Sequence, residues 1–498
     1  MWVMSPRPAH DAVLAIDQGG HSTRCLAFDA CGRLLAEHRE AVSETRPAPG
    51  FVEQDPAALL ASLHATVDTV FTQLAERDIT VCAVGLATQR SSLCCWHRDT
   101  GAALSPVISW QDTRNRELCD ALQAHAEDIH ARTGLMLSPH YGASKLRWLL
   151  DHLPSLEAAH AEGKLCAGPL ASFLLARLLR NTPCVADPTN AARTLLLNRE
   201  TLDWDSHLLA LFRLSADILP RVVNNVADFG ALPVGHADLP LRLCIGDQSA
   251  AVFAWGEPRT DTVCLNIGTG AFVLLPCDRA PTDTDGLLNS TLVRTAHIHL
   301  HALEGTINGA ASALDWLAAR HDTDSGKLIA ALPGWLAEAT NPPLFLNGIS
   351  GLAAPWWRAD FTSRFAGSGS ESSLAGEAVA VVESIVFLAW TIIRRMQALG
   401  HGPRAIRVSG GLGRLDGLCQ RLADLGGLPV TRPTECEATA RGSAWLLWQH
   451  GPGEQALTET DWRITESTEE FIPQENPPLH GRYRRWSMEM DKALENPA

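Results

Sequence analysis

Apolar positions follow two rhythms along the chain, and each predicts a kind of element. Leu59, Leu60, Leu63, Val67, Val70 and Phe71 recur at helical spacing. They follow Asp55-Pro56, an N-cap with proline at the first helical position. Glu377 to Leu399 reads as a long, largely buried helix, stopped at Gly402-Pro403 and followed by a strand from Ala405 to Val408. Gly410-Gly411-Leu412-Gly413 then opens a helix from Leu415 to Leu425. Short apolar runs predict strands at Ala12–Ile16, Arg24–Phe28 and Leu34–His38, a meander whose first turn is Asp17-Gln18-Gly19-Gly20-His21-Ser22-Thr23. Thr262–Ile267 and Ala271–Leu275 flank Gly268-Thr269-Gly270 in the same way. Two strand, glycine turn, strand units about 250 residues apart predict two related domains.

Composition agrees with more than one core. The chain has 498 residues, 46% of them hydrophobic, and single cores stop growing well below that length. Strands and helices mix throughout, with hairpins as well as crossovers, so the expected class is α/β with mixed sheets. Gly256-Glu257-Pro258 interrupts the pattern, which sets the expected domains at 1–255 and 256–498. A net charge of −15 repels phosphate backbones and anionic lipid, so nucleic acid and membrane surfaces are poor partners. The longest apolar run, Ile385 to Ile393, is far short of the roughly 20 residues of a bilayer span. Met1 to His10 carries no hydrophobic stretch and does not read as a secretory signal. The 13 cysteines form no CxxC pair and several lie in apolar runs; they read as reduced, packed thiols of a cytoplasmic protein. The tail from about Gly451 is more polar and reads as a surface strap or a partly ordered end.

The motif GxxxxGK[ST] is absent, and Gly411 and Gly413 are followed by Asp416 rather than a third glycine. A P-loop enzyme and a Rossmann dehydrogenase both lose ground. Three glycine turns remain, at Asp17-Gln18-Gly19-Gly20, Gly268-Thr269-Gly270 and Gly410-Gly411. Each reads either as a phosphate cradle or as a tight turn. Asp247 ends the short strand Leu243-Cys244-Ile245-Gly246. It reads equally as a base that accepts a hydroxyl proton and as the cap of a helix from Ser249 to Trp255.

A longer series of motifs resolves these ambiguities. Asp17-Gln18-Gly19, Pro49-Gly50-Phe51-Val52-Glu53-Gln54-Asp55-Pro56, Thr88-Gln89-Arg90, Ser109-Trp110-Gln111-Asp112-Thr113-Arg114 and Lys145-Leu146-Arg147-Trp148 occur in order. Thr201-Leu202-Asp203-Trp204-Asp205, Gly246-Asp247-Gln248, Gly268-Thr269-Gly270, Glu304-Gly305, Gly351-Leu352-Ala353-Ala354-Pro355 and Gly410-Gly411 follow. In order and spacing, from about residue 12 to 450, the chain resembles the FGGY carbohydrate kinases, most of all their glycerol kinase branch.

The resemblance implies two actin-like (ribonuclease H-like) domains, mixed sheets flanked by helices, with a cleft between them for magnesium-ATP. The first domain would bind a sugar or polyol and the second the nucleotide. Asp247 matches the family's catalytic base, with Gln248 beside it. Asp17 would lie near magnesium and the phosphates, with Gly19, Gly20, Ser22, Thr23, Gly268, Thr269 and Gly270. Gly410, Gly411 and Asp416 would lie at the nucleotide. Arg90, Ser91, Trp110 and His140 would face the acceptor, Arg90 as a fork for hydroxyls and Trp110 as a cover for the carbon chain.

Five positions depart from the family pattern. Ser91 stands where glycerol kinases have a glutamate, His140 where a tyrosine follows the proline, Gly20-His21 where two hydroxyl residues are usual, and Asp416 where an asparagine is common. Losing a carboxylate acceptor at Ser91 points away from glycerol, toward a larger polyol or a ketose. The alternative to a kinase is a homologue with little or no activity that serves as a metabolite sensor. Self-association is left open by the sequence.

Overall fold

The computed structural model describes residues 11–338, 341–366, 373–433, 437–450, 462 and 468–495. Met1 to His10, and residues 451–461 and 463–467 of the tail, lie outside the described residues.

The chain forms two compact units. The first comprises Met1–Pro258, Ser290–His301 and Ala438–Thr465. The second comprises Arg259–Asn289, Ala302–Glu437 and Glu466–Ala498.

In the first unit, β1 (Asp11–Gln18), β2 (Ser22–Phe28) and β3 (Leu34–Ala41) form the expected antiparallel meander. Beyond them lie β4 (Thr80–Thr88), β5 (Val226–Val234) and β6 (Ala237–Gly246), in the sheet order β5–β6–β4–β1–β2–β3. β1, β4 and β6 run parallel. Such strands are buried on both faces and need continuous apolar runs; Ala12 to Ile16 of β1 are all buried. Helix α1 (Pro56–Ala75) packs Leu59, Leu63, Val67, Val70 and Leu74 into this core. It starts as expected, with Asp55 accepting a hydrogen bond from Ala57 N at 2.9 Å. Two shorter helices, α2 (Gly142–His152) and α3 (Asp247–Ala251), carry residues of the site described below.

The second unit repeats the plan. β7 (Thr262–Ile267) pairs antiparallel with β8 (Ala271–Cys277) across Gly268-Thr269-Gly270. In the sheet order the hairpin strands β9 (Leu288–Arg294) and β10 (His299–Ile307) follow β8, although Ser290–His301 of this hairpin belong to the first unit. On the other side β11 (Ala405–Ser409) and β12 (Val430–Pro433) run parallel to β7, and β13 (Thr468–Phe471) closes the edge antiparallel. The run β10–β8–β7–β11–β12 repeats β3–β2–β1–β4–β6. The internal symmetry expected from the glycine turns therefore extends to both sheets.

Helix α4 (Leu374–Ala398) crosses the core of this unit. By length and composition it could span a bilayer, but 83% of its most apolar window is buried inside the protein. It is a core helix, longer and more apolar than its unbroken run suggests. Helix α5 (Asp416–Gly426) begins within one residue of the predicted start at Leu415, after a separate 3-10 turn at Gly411–Arg414. Helix α6 (Ala438–His450) returns to the first unit and packs on α3. In the described part of the tail, β13 pairs with β12, and the helix Pro477–Glu495 buries Trp486.

Candidate functional site

Three parallel strands bring the predicted residues of the first unit to one edge. Gln18 of β1 pairs with Thr88 of β4, and Thr88 pairs with Gly246 of β6. The chain leaves these three ends as Gly19-Gly20, Gln89-Arg90-Ser91 and Asp247-Gln248. Open α/β sheets bind ligands beyond the carboxyl ends of their strands. Asp17 and Asp247 lie two strands apart, about 10 Å by the usual strand spacing.

Asp247 is the first residue of α3, and its side chain does not cap a later turn of that helix. Oδ1 accepts a hydrogen bond from the neighbouring Gln248 N at 2.7 Å, and Oδ1 lies 3.7 Å from Arg90 Nε. The side chain keeps 21% of its surface. Burial pushes its carboxyl above the ordinary carboxylate range, opposed by Arg90 and by the Gln248 hydrogen bonds. Arg90 lies across Gly246, where a Cβ would stand 2.6 Å from Arg90 Cγ. That close approach requires glycine before Asp247.

Below this edge sits a polar network that sequence reasoning missed. Asp187, wholly buried, accepts hydrogen bonds from Thr189 N at 3.0 Å, Asn190 Nδ2 at 2.8 Å and Asn225 Nδ2 at 3.0 Å. Thr189 Oγ1 in turn accepts from Gly246 N at 2.7 Å, and Thr88 Oγ1 donates to Asn190 Oδ1 at 3.2 Å. The network thus holds the ends of β4 and β6 that present Arg90 and Asp247. Arg193, also buried, donates to Ser290 Oγ at 3.2 Å and adds positive potential at Asp247.

The expected acceptor residues lie nearby on three separate segments. Ser91 adopts a left-handed backbone, φ +66°. Trp110 N donates to Ser92 Oγ at 2.9 Å. His140 Nδ1 is 3.2 Å from the Trp110 carbonyl. A carbonyl only accepts, so Nδ1 carries the hydrogen and Nε2 is left an acceptor. Burial, with help from Lys145, lowers His140 to about 4, so it is neutral at physiological pH. Glu44, unforeseen in the sequence, joins Trp110 at the first glycine turn. A Cβ on Gly20 would lie 3.7 Å from both Glu44 Oε1 and Trp110 Nε1.

Within that turn, Gly19 N donates to Ser22 O at 2.9 Å. The Gly20 carbonyl accepts from Gln54 Nε2 at 2.7 Å. Thr23 faces the other way: its buried hydroxyl pairs with Ser62 on α1 at 2.7 Å. Asp17 is half-buried at the end of β1. Among the described residues no three His, Cys, Asp or Glu side chains cluster as a metal cage. A single carboxylate such as Asp17 suits magnesium that arrives on nucleotide phosphates and keeps most of its water.

In the second unit, Gly268 N donates to Gly270 O at 2.8 Å, and the exposed Thr269 gives its carbonyl to Ala310 N at 3.0 Å and Ser312 N at 3.1 Å. A Cβ on Gly270 would stand 2.7 Å from Ile307 O. Gly410, φ +86°, would set a Cβ 2.5 Å from Asn266 Oδ1 and 2.6 Å from Ile267 O. Both glycine turns therefore lie beside the ends of the parallel strands β7 and β11. Asp416 begins α5 with its side chain largely exposed and pairs with Arg432 at 2.7 Å.

The sequence matches two family models. The N-terminal domain of the FGGY family of carbohydrate kinases covers residues 12–254, and the C-terminal domain of that family covers residues 263–448. A glycerol kinase of Thermus brockianus is 33% identical over 497 residues, covering 97% of this chain and 98% of that protein. Among solved structures, glycerol kinase of Plasmodium falciparum with ADP superposes with a TM-score of 0.84 at 24% identity, covering 98% of each chain. Xylulose kinase of Rhodospirillum rubrum superposes at 0.83 with 22% identity, over 97% of this chain and 100% of that one. These two similarities establish the actin-like fold, while the matches along both halves of the sequence go further: the chain belongs to the FGGY family of carbohydrate kinases.

Proposed function

We propose that the protein transfers the γ-phosphoryl group of magnesium-ATP to a hydroxyl of a polyol or ketose larger than glycerol. The observation that carries this reading is the strand edge where Asp247, raised by burial, stands 3.7 Å from Arg90. Phosphoryl transfer asks the protein for position and charge, and for a base aimed at the attacking oxygen. Asp247 takes the acceptor proton as that oxygen bonds to the γ-phosphorus and the bond to the β–γ bridging oxygen breaks, releasing ADP. Arg90, Gln248, Trp110 and His140 orient the acceptor. Asp17 would hold the magnesium ion brought by ATP, beside Gly19, Gly20 and Ser22; Thr23, whose hydroxyl bonds Ser62 and whose backbone lies between two paired strands, is left out of the phosphate site. Gly268, Thr269, Gly270, Gly410, Gly411 and Asp416 take the nucleotide.

Ser91 in place of a glutamate supports a longer acceptor, since it removes a strong hydrogen-bond acceptor and frees volume. The cysteines of the described residues are free thiols, which supports a cytoplasmic enzyme. The test is ADP release on a panel of triols, pentitols, hexitols and ketoses. Release stimulated by a five- or six-carbon acceptor more than by glycerol is the expected result. Release that no acceptor stimulates would overturn the reading.

A further inference from the structure

Among the described residues Lys145 is the one lysine in the set of largest fully buried side chains, and no carboxylate there forms an ion pair with it. Its Nζ sits among main-chain carbonyls, 2.7 Å from His140 O, 2.8 Å from Ser109 O, and 3.4 Å from both Ser91 O and Trp110 O. An ammonium has three hydrogens. Two make the short bonds, and the third is shared between the longer pair. Asp112, the nearest acid, is already occupied by Arg114 at 2.7 to 3.0 Å and by Val52 N at 2.6 Å.

The carbonyls come from three segments distant in sequence: the exit of β4, the loop at Ser109-Trp110, and the approach to α2. These segments carry Ser91, Trp110 and His140. We propose that Lys145 is a positioning residue that ties these three segments together and so sets the shape of the acceptor pocket. The inference rests on the acceptor reading given under Proposed function.

Charge state follows from the surroundings. Burial lowers the ammonium to about 7, opposed by Asp112 and reinforced by Arg114, while Cys119 on the adjoining helix raises it slightly. His140, the other titratable neighbour, stays neutral above about 4. Below the Lys145 pKa the group has its charge and three hydrogens. Above it, one hydrogen and the charge are lost, and the tie loosens.

The test compares wild type with Lys145→Gln, a neutral donor, on whichever acceptor stimulates ADP release. At pH 6 the acceptor KM of the variant should rise on the order of tenfold while its ATP KM stays within about twofold, a loss confined to acceptor binding. From pH 6 to 8 the wild-type acceptor KM should climb toward that of the variant, whose own value stays flat. Amide exchange should quicken at residues 89–92, 109–112 and 138–142 of the variant and remain unchanged in 262–277. An unchanged acceptor KM, or equal increases in both KM values, would overturn the inference. So would a wild-type acceptor KM that is flat from pH 6 to 9, a measurement that needs no variant. A wild type without acceptor-stimulated ADP release would overturn the kinase reading and this inference together, whereas an active wild type matched by the variant would overturn only the inference.

Discussion

Replacing Asp247 with asparagine removes the proposed proton acceptor and keeps the shape. The Asp247→Asn variant is expected to lose about 10² or more in kcat, the usual worth of a general base, with ATP binding and Tm near those of wild type. Stopped-time ADP assays and thermal melts check both halves of that expectation. The pH profile follows from the same carboxyl. Its folded pKa is raised by burial, and only the ionised form accepts a proton. The kcat should therefore fall as pH drops through a value above the ordinary carboxylate range; an acid limb at the pKa of an exposed aspartate would contradict the assignment. Asp17 and Asp247 were legible as candidates because each stands at the end of an apolar strand, where such sheets place chemistry, while the family resemblance decided the role of Asp247 and supplied that of Arg90. Asp187 and Lys145 were not. Asp187-Pro188 looks like any helix cap, and Lys145 lies in an amphipathic helix where a lysine normally reaches solvent. Their roles come from carbonyl and amide partners far away in the chain.

At the scale of elements, the contact between α6 and α3 is the most sensitive. A Cβ on Gly442 would stand 1.8 Å from Ala250 O, so the two helices meet backbone to backbone. Gly442→Ala must push α3 away, and α3 begins with Asp247. The expected cost is ~1–3 kcal/mol of stability, typical of overpacking, together with a fall in kcat larger than any change in ATP KM. Melting curves and initial rates on the same preparation separate the two effects. Most elements were legible from their apolar rhythm, since α1 and the two glycine-turn hairpins depend on local sequence. The start of α5 was legible to within one residue, but the turn before it was not: Gly410 has φ +86° because it must pass close to the end of β7, and a 3-10 turn at Gly411–Arg414 precedes the helix.

For the whole molecule, ligand binding and stability are linked. Magnesium-ATP at 100 times its Kd should stabilise the protein by ~2.7 kcal/mol, seen as a rise of several degrees in Tm. Chelating the metal should cancel most of that rise; an equal shift with ATP alone would argue against a magnesium role for Asp17. The two-part plan was visible in the paired glycine turns. The return of residues 290–301 and 438–450 to the first unit rests on contacts between distant segments, which no local pattern carries. That return has a consequence for synthesis of the protein. A nascent chain that has emerged as far as Glu437 still lacks α6, the helix against which α3 is seated. The N-terminal unit is therefore expected to keep part of its core uncovered until nearly all of the polypeptide has been made, and a prematurely terminated product should be a ready client for chaperones and proteases.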